Sequence, residues 1–216
     1  MHASLPGTSQ SPRVERLILD IGGVILPSAM PQVIAELSAR STKSEQQLWR
    51  FFNSRLFQPF WSGRMDLDVF WQLFTGYADV SAEPAVWRTQ MTVSMLRPFD
   101  HLAVIRGWAV VVPVGVLSNQ RAEWVLPVLA RHGLLELLDP LLISSLTGLV
   151  KPDPRAFAQL TELGTSPERV LYVDDQPQAL RRAEQYGIST LEAHAAPAWL
   201  DQVSRRLGLR AASPSA

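Results

Sequence analysis

Three short apolar runs, far apart in the chain, each end in polar side chains, and this constrains the fold more than any other feature. Arg16-Leu17-Ile18-Leu19 runs into Asp20, Val114 to Leu117 into Ser118-Asn119, and Val170-Leu171-Tyr172-Val173 into Asp174-Asp175. Continuous apolar runs of this length, without polar alternation, read as strands buried on both faces. A further short run, Leu141 to Ser144, and a last one, Ile188 to Leu191, belong to the same set. Helical stretches separate them: His101 to Arg106, Glu123 to Arg131 stopped near Gly133, Arg155 to Leu163 after Pro152 and Pro154, and Ala179 to Tyr186 stopped by Gly187. Strand alternating with helix predicts a doubly wound parallel sheet, an α/β fold with helices on both faces. Pro113 and Gly115 blur the start of the second run, so its secure core is Val114 to Leu117.

Between the first strand and the second the pattern changes. Val33, Ile34 and Leu37 lie at helical spacing, as do Leu48, Phe51 and Phe52, and Phe70, Leu73 and Phe74. Residues 28–97 therefore read as an inserted helical cap, with 14–27 and 98–210 forming the α/β core. Residues 1–13, rich in Ser and Pro, read as a disordered leader and 211–216 as a frayed tail.

Composition narrows the function. Lys+Arg and Asp+Glu both number 20, so there is no global field to attract nucleic acid or an anionic membrane. Cysteine is absent, which excludes disulfides, thiolate catalysis and Cys-based zinc sites. His101, His132 and His194 are isolated and lack ligand spacing. A cytoplasmic protein is expected, with no apolar stretch long enough to cross a bilayer.

In a parallel sheet the carboxyl ends of all strands share one edge, where ligands bind. A single Asp after a strand is ordinarily a turn former or helix cap. Three such ends in one chain place Asp20, Ser118-Asn119 and Asp174-Asp175 together. Clustered carboxylates repel unless a cation joins them, and oxygen ligands without His or Cys point to Mg2+. Lys151, held between Val150 and Pro152, is placed to offer a compact positive charge to a phosphate.

The order of these segments resembles the haloacid dehalogenase-like (HAD) superfamily. The matching stretches are Leu17-Ile-Leu-Asp-Ile-Gly-Gly-Val24, Val116-Leu-Ser-Asn119, Gly148-Leu-Val-Lys-Pro-Asp-Pro154 and Val170-Leu-Tyr-Val-Asp-Asp175. The resemblance implies a Rossmann-like core and a Mg2+-dependent phosphohydrolase that acts on a small phosphorylated metabolite, sugar phosphates included, through an aspartyl-phosphate. It implies Asp20 as nucleophile, with Lys151 and Asp174 also catalytic. Ser118, Asn119 and Lys151 would bind phosphate, and Asp20, the Gly22 carbonyl and Asp175 would bind the metal. The family's usual second Asp, two residues after the nucleophile, is here Gly22. The alternatives are a catalytically weak HAD-like binding module and a metal-free haloacid dehalogenase. In the cap, Phe57, Trp61 and Arg64 are the substrate candidates, within a Phe57–Arg64 segment expected to be a loop facing the site. Phe60 and Trp71 are further aromatic candidates. Exposed cap aromatics would support a homodimer.

Overall fold

The computed structural model describes residues 13–81, 100–194 and 198–209. Most of the expected leader, the tail, and the cap stretch from residue 82 to 97 lie outside the described residues.

Five strands, β1 (Arg16–Leu19), β2 (Val114–Ser118), β3 (Leu138–Ile143), β4 (Val170–Asp174) and β5 (Ser189–Glu192), form one parallel sheet in the order β3-β2-β1-β4-β5. The chain winds outward from β1 through β2 to β3, then crosses back to β4 and β5. Strand order thus reverses beside β1, where α/β sheets open a crevice. β2 and β4 are buried along their whole length, and β1 from Leu17 onward. Burial on both faces explains why these strands carry no polar alternation. Pairing of Leu19 with both Val116 and Val173 brings the ends of the three central strands level. Asp20, Ser118 and Asp174 consequently share one edge.

β3 begins three residues before the expected run, with Pro140 inside it. Proline ordinarily interrupts a strand because it lacks an N–H donor, but β3 is at the sheet margin and pairs only with β2. Gly115 has a related origin: a Cβ there would lie 2.5 Å from Pro140 Cδ. The glycine that blurred the start of β2 makes room for the edge proline. Ser144, expected to close β3, instead opens a short helix.

Among the described residues, four helices follow β1 in the cap: α1 (Ala29–Ala39), α2 (Glu45–Phe51), α3 (Phe57–Trp61) and α4 (Leu67–Ala78). The remainder are α5 (Leu102–Ala109), α6 (Ala122–Arg131), α7 (Ser144–Thr147), α8 (Pro154–Thr161), α9 (Pro177–Glu184) and α10 (Ala198–Arg206). Local signals set their ends. Ser44 and Gln47 close a capping box at α2, Asp66 caps α4, and Pro154 and Pro177 occupy first-turn positions where a missing N–H costs nothing. The segment Phe57–Arg64, expected to be a loop, is helical over Phe57–Trp61, and only Ser62 to Arg64 lies outside the helix. α2 continues through a π-helical turn, Phe52–Leu56, directly into α3. Leu73, expected on the apolar face of α4, is exposed, and Trp71 is buried there instead.

The first helices are welded to the core. Phe60 stacks on Phe70 with centroids 3.8 Å apart and packs against Trp124 of α6. The buried Arg121 guanidinium donates to the carbonyls of Phe60 (3.0 Å) and Met65 (2.8 Å) and pairs with Glu123. Ser144 Oγ donates to the Trp61 carbonyl at 2.7 Å. α10 was not anticipated. Its Trp199, Leu200 and Val203 are buried, and its Ser204 Oγ accepts a hydrogen bond from Trp108 Nε1.

Candidate active site

The loop after β1 is a tight turn built on one carbonyl. The Ile21 oxygen accepts from the N–H groups of Ile25 (2.9 Å) and Leu26 (2.8 Å), while Gly23 N–H donates to Leu26. This leaves the Gly22 carbonyl outside the turn's own hydrogen bonding. Gly23 has φ 81°, and a Cβ on it would lie 2.3 Å from Asp175 Oδ2. The residue must therefore be glycine both for its backbone and for the close approach of Asp175. Gly22 lacks the left-handed geometry. A Cβ there would meet Ser28 Oγ at 3.1 Å and Gln120 Nε2 at 3.2 Å, so two uncharged polar side chains flank the place an acid would occupy.

Asp20 follows the last residue of β1 and is buried. Lys151, equally buried, reaches it from the β3–α8 connection. Its Nζ donates to Asp20 Oδ1 at 3.0 Å, Asp174 Oδ2 at 2.6 Å and the Tyr172 hydroxyl at 2.9 Å. All three ammonium protons thus have partners. Tyr172 OH in turn donates to Asp174, and Asp174 Oδ1 accepts from Gln176 N–H at 2.7 Å. Asn119 holds the lysine's backbone from both sides: Lys151 N–H donates to Asn119 Oδ1 at 2.7 Å, and Asn119 Nδ2 donates to the Lys151 carbonyl at 2.9 Å. Ser118 is placed beneath the Asp20 loop, where its hydroxyl accepts from Ile21 N–H at 3.4 Å.

Carboxylate oxygens of Asp20, Asp174 and Asp175 lie within 4.8 Å of one another. With all three ionised, Lys151 would leave two negative charges uncompensated. The titration behaviour reflects this. Burial raises the Asp20 carboxyl above its ordinary value, Lys151 counters it, and Asp174 adds to it. Burial alone would lower Lys151, but Asp174 and Asp20 carry it above the ordinary lysine value. Asp175 is pushed up to about 7 by burial and by the charges of Asp20 and Asp174. Its Oδ1 is buried without a hydrogen-bond partner. An orphaned oxygen beside an excess of negative charge fits a divalent cation held by oxygen ligands.

A cavity of about 340 Å3 opens on this cluster. Asp20, Gly22, Asn119, Lys151 and Asp175 line its sheet end, and Phe57 and Trp61 line the helical side. The structure thus brings together most of the side chains singled out from the sequence. It separates three. Ser118 and Asp174 lie behind the lining, and Arg64 is exposed, with its Nε donating to Ser62 Oγ. Phe60 and Trp71 belong to the buried core. Tyr172 was overlooked, although its place two residues before Asp174 puts both on one strand face. Gln120, Ser28, Trp49 and Phe52 also line the cavity without having been anticipated. Among the histidines, His101 is buried against the Val24 carbonyl at 2.7 Å and His194 is largely exposed.

Fold and site together define an α/β protein of Rossmann-like topology with an acidic sheet edge. The family model of the haloacid dehalogenase-like hydrolases matches residues 87–193. No curated protein matches the chain. Among solved structures, one described as a predicted HAD-like family hydrolase from Porphyromonas gingivalis superposes with TM-score 0.69 at 20% identity, covering 91% of this chain and 98% of its own. A HAD family enzyme from Bacteroides thetaiotaomicron, complexed with magnesium and inorganic phosphate, has TM-score 0.72 at 16% identity, covering 86% and 97%. A dehalogenase superposes with TM-score 0.61 at 18% identity, covering 89% and 96%. Residues 87–193 thus match the haloacid dehalogenase-like hydrolases in sequence, and the chain shares the fold of these structures.

Proposed function

We propose that the protein is a Mg2+-dependent phosphomonoester hydrolase that acts on a small phosphorylated molecule through an aspartyl-phosphate on Asp20. One observation carries the reading: the Lys151-braced Asp20 faces a cavity beside Asp175, whose buried Oδ1 has no partner. The magnesium and phosphate held by the Bacteroides thetaiotaomicron enzyme of the same fold support it. In this reading Asp20, the Gly22 carbonyl and Asp175 hold the ion. A magnesium ion there would offset charge on the transferring phosphoryl group.

The chain's own residues do the rest. Asp20 attacks phosphorus. Lys151 reduces repulsion between that carboxylate and the incoming phosphate. Asp174 and Tyr172 hold the lysine's head, and Asn119 holds its backbone, so the charge stays aimed at the reacting atoms without reorganisation. Asn119 also lines the cavity and is placed to contact phosphate. Ser118 fixes the loop that carries Asp20. The described part of the cap, residues 28–81, closes the cavity from the helical side and excludes water.

The test is phosphate release from a panel of phosphomonoesters, with Mg2+ and with EDTA, by the wild type and Asp20→Asn. Release is expected only with Mg2+, and the folded Asn variant should lose it by roughly 10³-fold or more. Halide release from a 2-haloacid without metal would replace this reading with dehalogenation. Mg2+ binding without turnover on any ester would leave a binding module.

A further inference from the structure

The two ends of the cavity differ in chemistry. At the sheet end are Asp20, Asp175 and Lys151; the far wall is aromatic, made by Trp49, Phe52, Phe57 and Trp61. Trp49, Phe57 and Trp61 each stand edge-on to Phe52, at centroid distances of 6.0, 5.9 and 6.3 Å. These rings are held by contacts with one another, so the wall is preformed. Phe52 and Trp61 are buried within it, whereas Trp49 and Phe57 retain uncovered surface.

The remaining polar lining is uncharged: Ser28, Asn119, Gln120 and Gln176. Lys151 is the only cation lining the cavity among the described residues, and it is already shared by Asp20 and Asp174. A second phosphate or a carboxylate on the substrate would be desolvated without a counter-charge. The hydroxyls of a sugar would lose water against the aromatic wall with few partners in return. A planar ring loses nothing there, and 340 Å3 is room enough for a phosphate and a small ring system.

The leaving oxygen narrows the class further. The only acids in the described lining are Asp20 and Asp175, which the proposed function assigns to attack and to the metal, and no histidine lines the cavity. Above Gly22 stand Ser28 and Gln120, neither of them an acid. General acid catalysis, worth about 10²–10⁴-fold, has no dedicated donor among the described residues. A phenolic oxygen, with an ordinary pKa of about 10, leaves far more readily unaided than an alkoxide, which resembles the conjugate base of water at about 15.7.

We infer that the pocket takes an aryl phosphomonoester: one phosphate on the phenolic oxygen of an uncharged, planar ring system. The inference rests on the phosphohydrolase reading above and names its substrate class. Asp20 forms a bond to phosphorus as the phosphorus–aryl oxygen bond breaks, its electron pair leaving on the aryloxide. Water then attacks phosphorus, the bond to Asp20 breaks, and the carboxylate is restored. The proton given up by that water passes through solvent to the aryloxide. Ester and water become phenol and inorganic phosphate.

Two measurements test this independently. Calorimetry on the Mg2+-loaded protein compares phenylphosphonate, which cannot be hydrolysed, with cyclohexylphosphonate, which has similar bulk but no planar ring. The phenyl ligand should bind about ten-fold more tightly, and Trp49→Leu and Phe57→Leu should each shrink that ratio. Equal binding by the wild type overturns the aromatic assignment. Turnover is compared for phenyl phosphate, benzyl phosphate and acetyl phosphate. Phenyl phosphate should exceed benzyl phosphate by about 100-fold in kcat/KM, and should have a lower KM than acetyl phosphate. Equal rates on phenyl and benzyl esters overturn the unaided-leaving argument. If phenylphosphonate binds selectively while none of the three is hydrolysed, the phosphohydrolase reading fails and the pocket's selectivity stands.

Discussion

Replacing Lys151 with methionine removes the one cation among three carboxylates while keeping an unbranched side chain of similar length. The lysine is buried and donates to Asp20, Asp174 and Tyr172, and Asp20 and Asp174 are buried with it. Removing one partner of a buried ion pair costs about 3–5 kcal/mol, because the charge left behind is uncompensated. For a chain of this size each kcal/mol lowers the unfolding midpoint by about 2–4 °C, so a fall of roughly 6–20 °C is expected at pH 8. The sign of the pH dependence follows from the titrations. Asp20 and Asp175 already have raised carboxyl values, and Lys151 is a force holding both down. Without it they rise further. A group with a raised folded value contributes stability below its unfolded value and loses it as pH climbs through the folded value. The deficit of the variant should therefore be smallest near pH 4 and widen toward pH 8. Mg2+ at about 100 times its dissociation constant should restore up to about 2.7 kcal/mol. Urea unfolding at pH 5, 6.5 and 8, with and without Mg2+, measures all of this. A loss below about 1 kcal/mol at pH 8, or one that shrinks as pH rises, would refute the reasoning.

Two other outcomes are expected. Gly23→Ala should cost roughly 1–3 kcal/mol and weaken Mg2+ binding, since it strains a φ of 81° and drives a Cβ into Asp175. Gly22→Ala meets only the side chains of Ser28 and Gln120 and should cost less; thermal unfolding in the opposite order would contradict the loop's geometry. Because Asp175 titrates at about 7, a cation bound there must displace its proton at lower pH. Calorimetry in buffers of different ionisation heat should show about one proton released at pH 6 and little at pH 8.5. The same proton count at both would remove Asp175 as a ligand.

The central strands were legible because burial on both faces leaves an unbroken apolar run, and each run ends in the residues that meet at the sheet edge. The edge strand was harder to read. Pro140 looks like a stop, and only its marginal position makes it admissible. α10 carried a signal that was passed over: Trp199, Leu200, Val203 and Leu207 recur at helical spacing and are buried. Convergence of Asp20, Ser118-Asn119 and Asp174-Asp175 followed from sheet topology, whereas the place of Lys151 beside Asp20 came from the family resemblance. Finer placement followed from neither. Phe60 and Trp61 are neighbours of similar character, yet only Trp61 lines the cavity, and the turn of a π-helical segment decides which. The sequence pointed to Arg64 as the arginine facing the site, but Arg64 is exposed and the buried arginine among the described residues is Arg121, committed to carbonyls of the helical segment. Ser28 and Gln120 above Gly22 are tertiary approaches from two different loops, which no local pattern records.

The covalent step is the most direct point of attack. The protein is mixed with phenyl phosphate and Mg2+, quenched in acid within a turnover, digested, and its peptides weighed. A single phosphoryl group should appear on the peptide carrying Asp20, and should be absent with EDTA and from Asp20→Asn. Phosphate release at full rate with Asp20 never modified would contradict the account.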